Sequence, residues 1–162
     1  MRLDHQRIRI TPSVLDRLLD DTPREPVEGP AQQTFDLHRL KRAVARDMEA
    51  LLNARRVDLD DLIDLYPYAR NSMIDFGITD LSSLSFLDPN DRAYLRDKIR
   101  VTVERHEPRL DLVRVSLDAP LGIERMLRFR VDAILKVLPT RPPVSFDAML
   151  QLSSNTCQIR EN

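Results

Sequence analysis

The sequence predicts an α+β fold: a small antiparallel sheet of three to four strands, covered on one face by two long helices, with an N-terminal helix on a proline-rich linker. Three observations predict it. Two segments repeat apolar residues at three- and four-residue spacing, the period of an amphipathic helix. Three later segments alternate apolar and polar residues, the period of a half-buried strand. A stretch rich in proline separates an early helical segment from everything that follows.

The first element is "TPSVLDRLLDD", where Thr11 suits an N-cap and Pro12 the first helical position. Val14, Leu15, Leu18 and Leu19 make one apolar face, expected to pack on the main domain or on a partner. "TPREPVEGPAQQ" has a linker composition. The chain therefore divides into an N-terminal arm with a short helix (1–21), a Pro-rich linker (22–34) and one folded domain (35–162). "FDLHRLKRAVARDMEALLNARR" predicts a helix over about 36–54. Leu37, Leu40, Val44, Met48, Leu51 and Leu52 form its inner face; Arg39, Arg42, Arg46 and Glu49 form its outer one. Val57 to Leu87 is irregular and predicts short helical turns, one of them stopped by Gly77. The second long helix opens on "DPND", with Asp88 as cap, Pro89 in the first turn and Asp91 at the positive end. Leu95, Ile99 and Val103 share a face, and the helix should stop near Glu107, because the residue before Pro108 is pushed out of the α region. From there the period becomes two. Val113, Val115 and Leu117 point one way; Leu127, Phe129, Val131, Ala133, Leu135 and Val137 alternate with Arg128, Arg130, Asp132, Ile134 and Lys136; Phe146, Ala148, Leu150 and Leu152 alternate with Ser145, Asp147, Met149 and Gln151. "TCQIR" adds a candidate edge strand.

Composition narrows the function classes. The chain has 162 residues, a formal net charge of -1 and one cysteine, Cys157. Near-neutrality argues against a strongly basic nucleic-acid binder. A single cysteine leaves no internal disulfide framework and no multi-cysteine zinc site. "MRLDHQRIRI" is charged throughout and does not read as a secretion signal. No apolar run approaches the roughly 18–20 residues that span a bilayer. The expectation is a soluble cytoplasmic protein.

Few residues suggest catalysis. Glu104 and Glu107 are the residue type a glycosidase uses, but three-residue spacing sets them side by side on a helix rather than across a cleft. His5, His38 and His106 lack metal-ligand spacing, Cys157 lacks a nucleophile signature, and Gly29, Gly77 and Gly122 cannot form a phosphate-cradling loop. No catalytic residue, cofactor or metal site is expected. Arg55 and Arg56 follow a helix directly, so its dipole accounts for them. With Arg39, Arg42 and Arg46 they are also the set a nucleic-acid binder would use. Arg128, Arg130 and Lys136 make the uncovered sheet face basic. Sheet edges carry unpaired backbone groups, and strand addition from another chain is a ready use for them. Glu107, Pro108 and Arg109 are harder to dismiss, because a glutamate at a helix C-terminus opposes the dipole by about 0.3–1 kcal/mol. Two readings stand: an ion pair that locks the helix-to-strand corner, or a rigid charged prong offered to a partner.

Five stretches, in order, carry a resemblance: "TPSVLDRLLDD"; "RDMEALLNARR", with Leu51, Leu52, Asn53 and Arg55; "YPYARNSMIDFGITDL"; "HEPRLDLVRVSL"; and "VSFDAML". Together they resemble the TssE family of type VI secretion baseplate subunits, which belongs with the small wedge protein of contractile phage baseplates, once described as a tail lysozyme. "SSNTCQIREN" departs from the family pattern. The resemblance implies a structural protein that joins TssF and TssG in a wedge, contacts TssK through them, and starts assembly of the TssB–TssC sheath through a sheath-like handshake sheet. It implies that Glu107, Pro108 and Arg109 are the partner-binding residues, their charges presented to a partner rather than to each other. It implies a cytoplasmic location at a baseplate docked on the inner membrane, without direct membrane insertion or nucleic acid. The phage relative's history keeps a peptidoglycan-cleaving, lysozyme-like enzyme as the alternative.

Overall fold

A computed structural model describes residues 10–19, 36–57, 65–81, 83–85, 87–119, 126–151, 154 and 156–162. The proline-rich stretch and the 22–34 linker boundary lie outside the described residues, as do His5, Gly29, Gly122 and Leu152. Within them the α+β expectation holds, with helices packed on an antiparallel sheet of four strands.

The short helix α1 spans Val14–Leu18. Its N-cap is Ser13, not Thr11 as the sequence suggested. The reason is a capping box: the Asp16 amide donates to Ser13 Oγ at 3.1 Å, and the Ser13 amide donates to Asp16 Oδ2 at 3.1 Å. Two amides are satisfied at once, which a Thr11 cap cannot match because Val14 would then stand at N3 with no side-chain acceptor. Of the two expectations for the apolar face, the domain or a partner, packing on the domain is not what the structure shows, because Val14, Leu15, Leu18 and Leu19 are all exposed. The arm touches the domain through Ile10, packed on the core, and through Asp16, which accepts from Arg46 Nη2 at 2.8 Å.

Helix α2 (Leu37–Asn53) and helix α3 (Pro89–His106) cover one face of the sheet. Asp36 caps α2 by accepting from the Arg39 amide at 2.9 Å. Asp88 caps α3 by accepting from the Asn90 amide at 2.7 Å, with Pro89 at the first helical position. Leu40, Val44, Met48, Leu51 and Leu52 of α2 and Leu95, Ile99 and Val103 of α3 are buried, as the 3.6-residue period requires. α2 lies over the last strand and α3 over the first.

The strands β1 (Leu110–Leu117), β2 (Met126–Leu135), β3 (Pro143–Gln151) and β4 (Thr156–Glu161) form a meander in sequence order. Register aligns Leu117, Phe129, Ala148 and Ile159 in one row, and Val115, Val131 and Phe146 in the next. All these side chains turn toward the helices, and Val131 and Phe146 are fully buried. Removing a ring such as that of Phe146 from this layer costs about 3–5 kcal/mol. The opposite face is polar: Ser116, Arg130, Asp147 and Arg160 share one row, with Arg130 Nε donating to Asp147 Oδ1 at 2.8 Å. Arg128 and Arg130 do face outward there, whereas Lys136 lies just beyond the end of β2. β1 is broken by a bulge between Asp111 and Arg114, where Leu112 adopts φ 51° and turns outward.

Between the two long helices run the 3-10 turns Pro67–Asn71 and Met73–Asp75, the short turns the sequence suggested. Gly77 follows them at φ 113°. A Cβ there would meet the Ala54 carbonyl oxygen at 2.5 Å. Glycine is therefore needed for conformation and for contact, since Ile78 N–H donates to that same oxygen at 3.0 Å and ties the excursion to the end of α2.

Candidate functional site

The corner is built where α3 hands the chain to β1. Glu107 closes the helix, its amide donating to the Val103 carbonyl at 2.9 Å, and its own carbonyl accepts from the Leu110 amide at 3.2 Å. Pro108 stands exposed at the apex. Glu107, by contrast, is only 3 % exposed. Its Oε1 accepts from the Arg109 amide at 3.1 Å and from Arg109 Nε at 2.7 Å, and its Oε2 pairs with Arg109 Nη2. Arg109 Nη2 also donates to Asp47 Oδ2 of α2 at 2.6 Å. Burial by itself would lower the pKa of the Arg109 guanidinium, but Glu107 and Asp47 outweigh burial and raise it.

The expectation that these two charges face a partner rather than each other is thus corrected. They are bound to one another, and the fork geometry of arginine makes the contact bidentate. The apparent violation of the helix dipole disappears as well. Arg105 and His106 occupy the last turn of α3, and Arg109 neutralises the carboxylate directly.

The corner does not end at Asp47. Arg46 Nε donates to Asp47 Oδ1 at 2.8 Å, and Arg46 Nη2 reaches Asp16 of α1. Alternating charges therefore run without a gap from the arm to the corner: Asp16, Arg46, Asp47, Arg109, Glu107. The Asp16 carboxyl is raised by burial but lowered further by Ser13 and Arg46, and the net direction is down.

A second acid centre lies on the other side of the end of α3. Asp75 is 2 % exposed and pairs with Arg56 through one oxygen and Arg105 through the other. His106 Nε2 lies 3.0 Å from the Asp75 carbonyl oxygen. A carbonyl only accepts, so Nε2 carries the proton in this contact. The ring also meets Phe76 edge-on at 5.5 Å. The turns that Asp75 anchors display Tyr66, Tyr68, Met73 and Ile74 to the outside. Arg55 behaves as the helix dipole suggests, donating to the Leu52 carbonyl at 3.1 Å; Arg56 does not, being committed to Asp75.

The remaining candidates separate. Glu104 is exposed and pairs with Arg100 at 2.8 Å, so Glu104 and Glu107 have different partners and do not confront each other across a cleft. His38 lies against Glu161 at 3.0 Å, away from His106. No cluster of metal-ligating side chains occurs among the described residues. Cys157 is buried, and burial, with the nearby Glu49 carboxylate, pushes its thiol up to about 12. Of the five arginines a nucleic-acid binder would need, Arg46, Arg55 and Arg56 are engaged within the fold.

Sequence reasoning missed the side chains at the edge of β4. Asn53 Nδ2 donates to the Cys157 carbonyl at 2.9 Å while Asn53 Oδ1 accepts from the Cys157 amide at 2.7 Å. Glu49 Oε2 accepts from the Ile159 amide at 2.8 Å. The signal was faint: two polar residues four apart on α2, of which Glu49 reads as outer face and Asn53 only as part of the family resemblance.

The described residues thus form an antiparallel meander under two helices, with an ion-paired acidic–basic corner where α3 meets β1. Comparison with protein families matches residues 38–140 to the baseplate wedge protein gp25 family, over both long helices, the corner and the first two strands. The chain belongs to that family, and is a baseplate component of the phage-like wedge type. Comparison with curated proteins and with solved structures returns no match. Among the described residues no helix is long and apolar enough to cross a membrane.

Proposed function

We propose that this chain is the non-enzymatic subunit of a type VI secretion baseplate that docks on the TssF–TssG wedge core through the Glu107–Pro108–Arg109 corner. The observation that carries the reading is the corner itself, lying inside the family match and held rigid before any partner arrives. Preorganisation lowers the entropic cost of binding. The internal pairing of Glu107 and Arg109 fits docking once the roles are redistributed. Glu107 orients, Pro108 is presented at the apex, and Arg109 keeps a side-chain exposure of 27 %. TssK is reached through the wedge, and the TssB–TssC sheath starts on the sheet by strand addition. The arm (1–21) and linker (22–34) serve the domain (35–162), and the work is done in the cytoplasm at a baseplate on the inner membrane, with no nucleic acid and no membrane insertion.

Pro108→Ala and Arg109→Lys test the docking. Both leave the Glu107 charge in place, and Arg109→Lys keeps a cation beside it while losing the bidentate fork. Pro108→Ala is expected to fold with a near-parental Tm and Arg109→Lys with a lowered one, and each to recover less TssF–TssG complex on co-purification. Parental recovery with both variants overturns docking by the corner.

A further inference from the structure

The two edges of the sheet are chemically different, and we infer that strand addition takes place on β1 alone, along Val113–Leu117, because side chains of α2 plug β4. The inference rests on the strand-addition reading above and assigns its site.

In an antiparallel ladder, alternate residues turn both backbone groups to the neighbour and the residues between turn them outward. On β4 the outward residues are Cys157 and Ile159, as their amide contacts with α2 show. Asn53 meets both polar groups of Cys157, placing a side-chain amide where a neighbouring strand would place a peptide group. Glu49 takes the Ile159 amide, and His38 of α2 reaches Glu161 at the strand's end. A strand arriving on β4 would have to displace these contacts and lift α2 from the edge it covers.

On β1 the phase follows from its far end. The Asp118 amide donates to the Arg128 carbonyl at 2.9 Å, in the same register as Arg114 opposite Asp132 and Ser116 opposite Arg130. Arg114 and Ser116 therefore pair inward, and Val113, Val115 and Leu117 carry the outward N–H and C=O groups. Among the described residues none bonds to them. The bulge between Asp111 and Arg114 ends the regular edge on the corner side, which leaves a ladder over Arg114–Leu117 with Val113 at its margin. Side chains at the three outward positions lie on the covered face beside α3, and Arg114 stands exposed on the open face. The segment this edge accepts is extended, apolar opposite Val113, Val115 and Leu117, and acidic opposite Arg114.

Amide exchange on the intact chain, followed by NMR alone and with added TssB–TssC, tests this. Alone, the Val113, Val115 and Leu117 amides should exchange faster than those of Arg114, Ser116, Cys157 and Ile159. With sheath subunits bound, they should slow by about tenfold or more. Val115→Pro should abolish sheath capture while keeping the sheet, because proline is tolerated where the lost N–H faces outward. Sheath binding with new protection on β4, or with none on β1, overturns the edge assignment and leaves strand addition or the wedge reading standing. Absence of any sheath binding by the parental chain overturns strand addition and the inference with it, while docking at the corner stands or falls on its own test.

Discussion

Two acid–arginine centres flank the end of α3, and they differ in where they lead. Asp75 is held between Arg56 and Arg105, and the carboxylate and the Arg56 side chain are both sealed from solvent. Glu107 is as deeply placed, but its partner Arg109 and the next acid, Asp47, are each more than a quarter exposed, and the chain of charges continues through Arg46 to the arm. One centre is a staple with a buried half, Asp75 with Arg56, and an outer member, Arg105, that is 34 % exposed; it fixes the irregular excursion to both long helices. The other is a path from the interior to the surface. An ion pair that stays inside holds a fold, whereas one that surfaces can also be felt by a second molecule, since its outer members keep hydrogen-bonding capacity and are only partly desolvated.

The largest effect should come from Asp75→Ala. It strands the buried Arg56 guanidinium beside Arg105, and removing one partner of a buried pair costs about 3–5 kcal/mol. Urea unfolding should show the loss at an unchanged m-value. Glu107→Ala comes next, at roughly 1–3 kcal/mol, because Arg109 retains Asp47 and a route to water. Equal losses in the two variants would erase the distinction between staple and path. The smallest effect belongs to His106, which burial and the adjacent Arg105 and Arg56 hold below its ordinary value of 6.5, against the pull of Asp75. A histidine neutral in the folded state and protonated when unfolded gains protons on unfolding, so its stability contribution is present above pH 6.5 and is lost as pH falls toward the folded pKa. Parental Tm should therefore drop from pH 7.5 to 5.5 more than that of His106→Gln. Parallel profiles would show that the staple does not sense the ring's charge.

Much of the fold was legible because it is local. The α2 face, the Asp88–Pro89 start, the halt before Pro108 and the alternation of β2 and β3 each need only neighbours in sequence. The bulge at Leu112 escaped, since alternation from Val113 onward looks regular without it. What the charged residues do was far less legible. Arg109 finds Asp47 across 62 positions, and Asn53 finds Cys157 across 104. Helical period leaves Asp47 and Asn53 off the apolar stripe but says nothing of what the chain brings beside them 62 and 104 positions later. Glu107 looked anomalous for a helix end, and the sequence left open whether Arg109 or a partner takes its charge; in the fold Arg109 takes it, itself held by Asp47 of α2.

The plug at β4 has a consequence for assembly arithmetic. A sheet with two free edges is a bifunctional monomer: it can insert anywhere in a growing array, or pair with its own copies without limit. If strand addition is confined to β1, the contacts of Asn53 and Glu49 on β4 leave this sheet a valence of one. A unit of valence one cannot propagate and cannot be incorporated midway, so on that inference its place in a strand-linked array is the end.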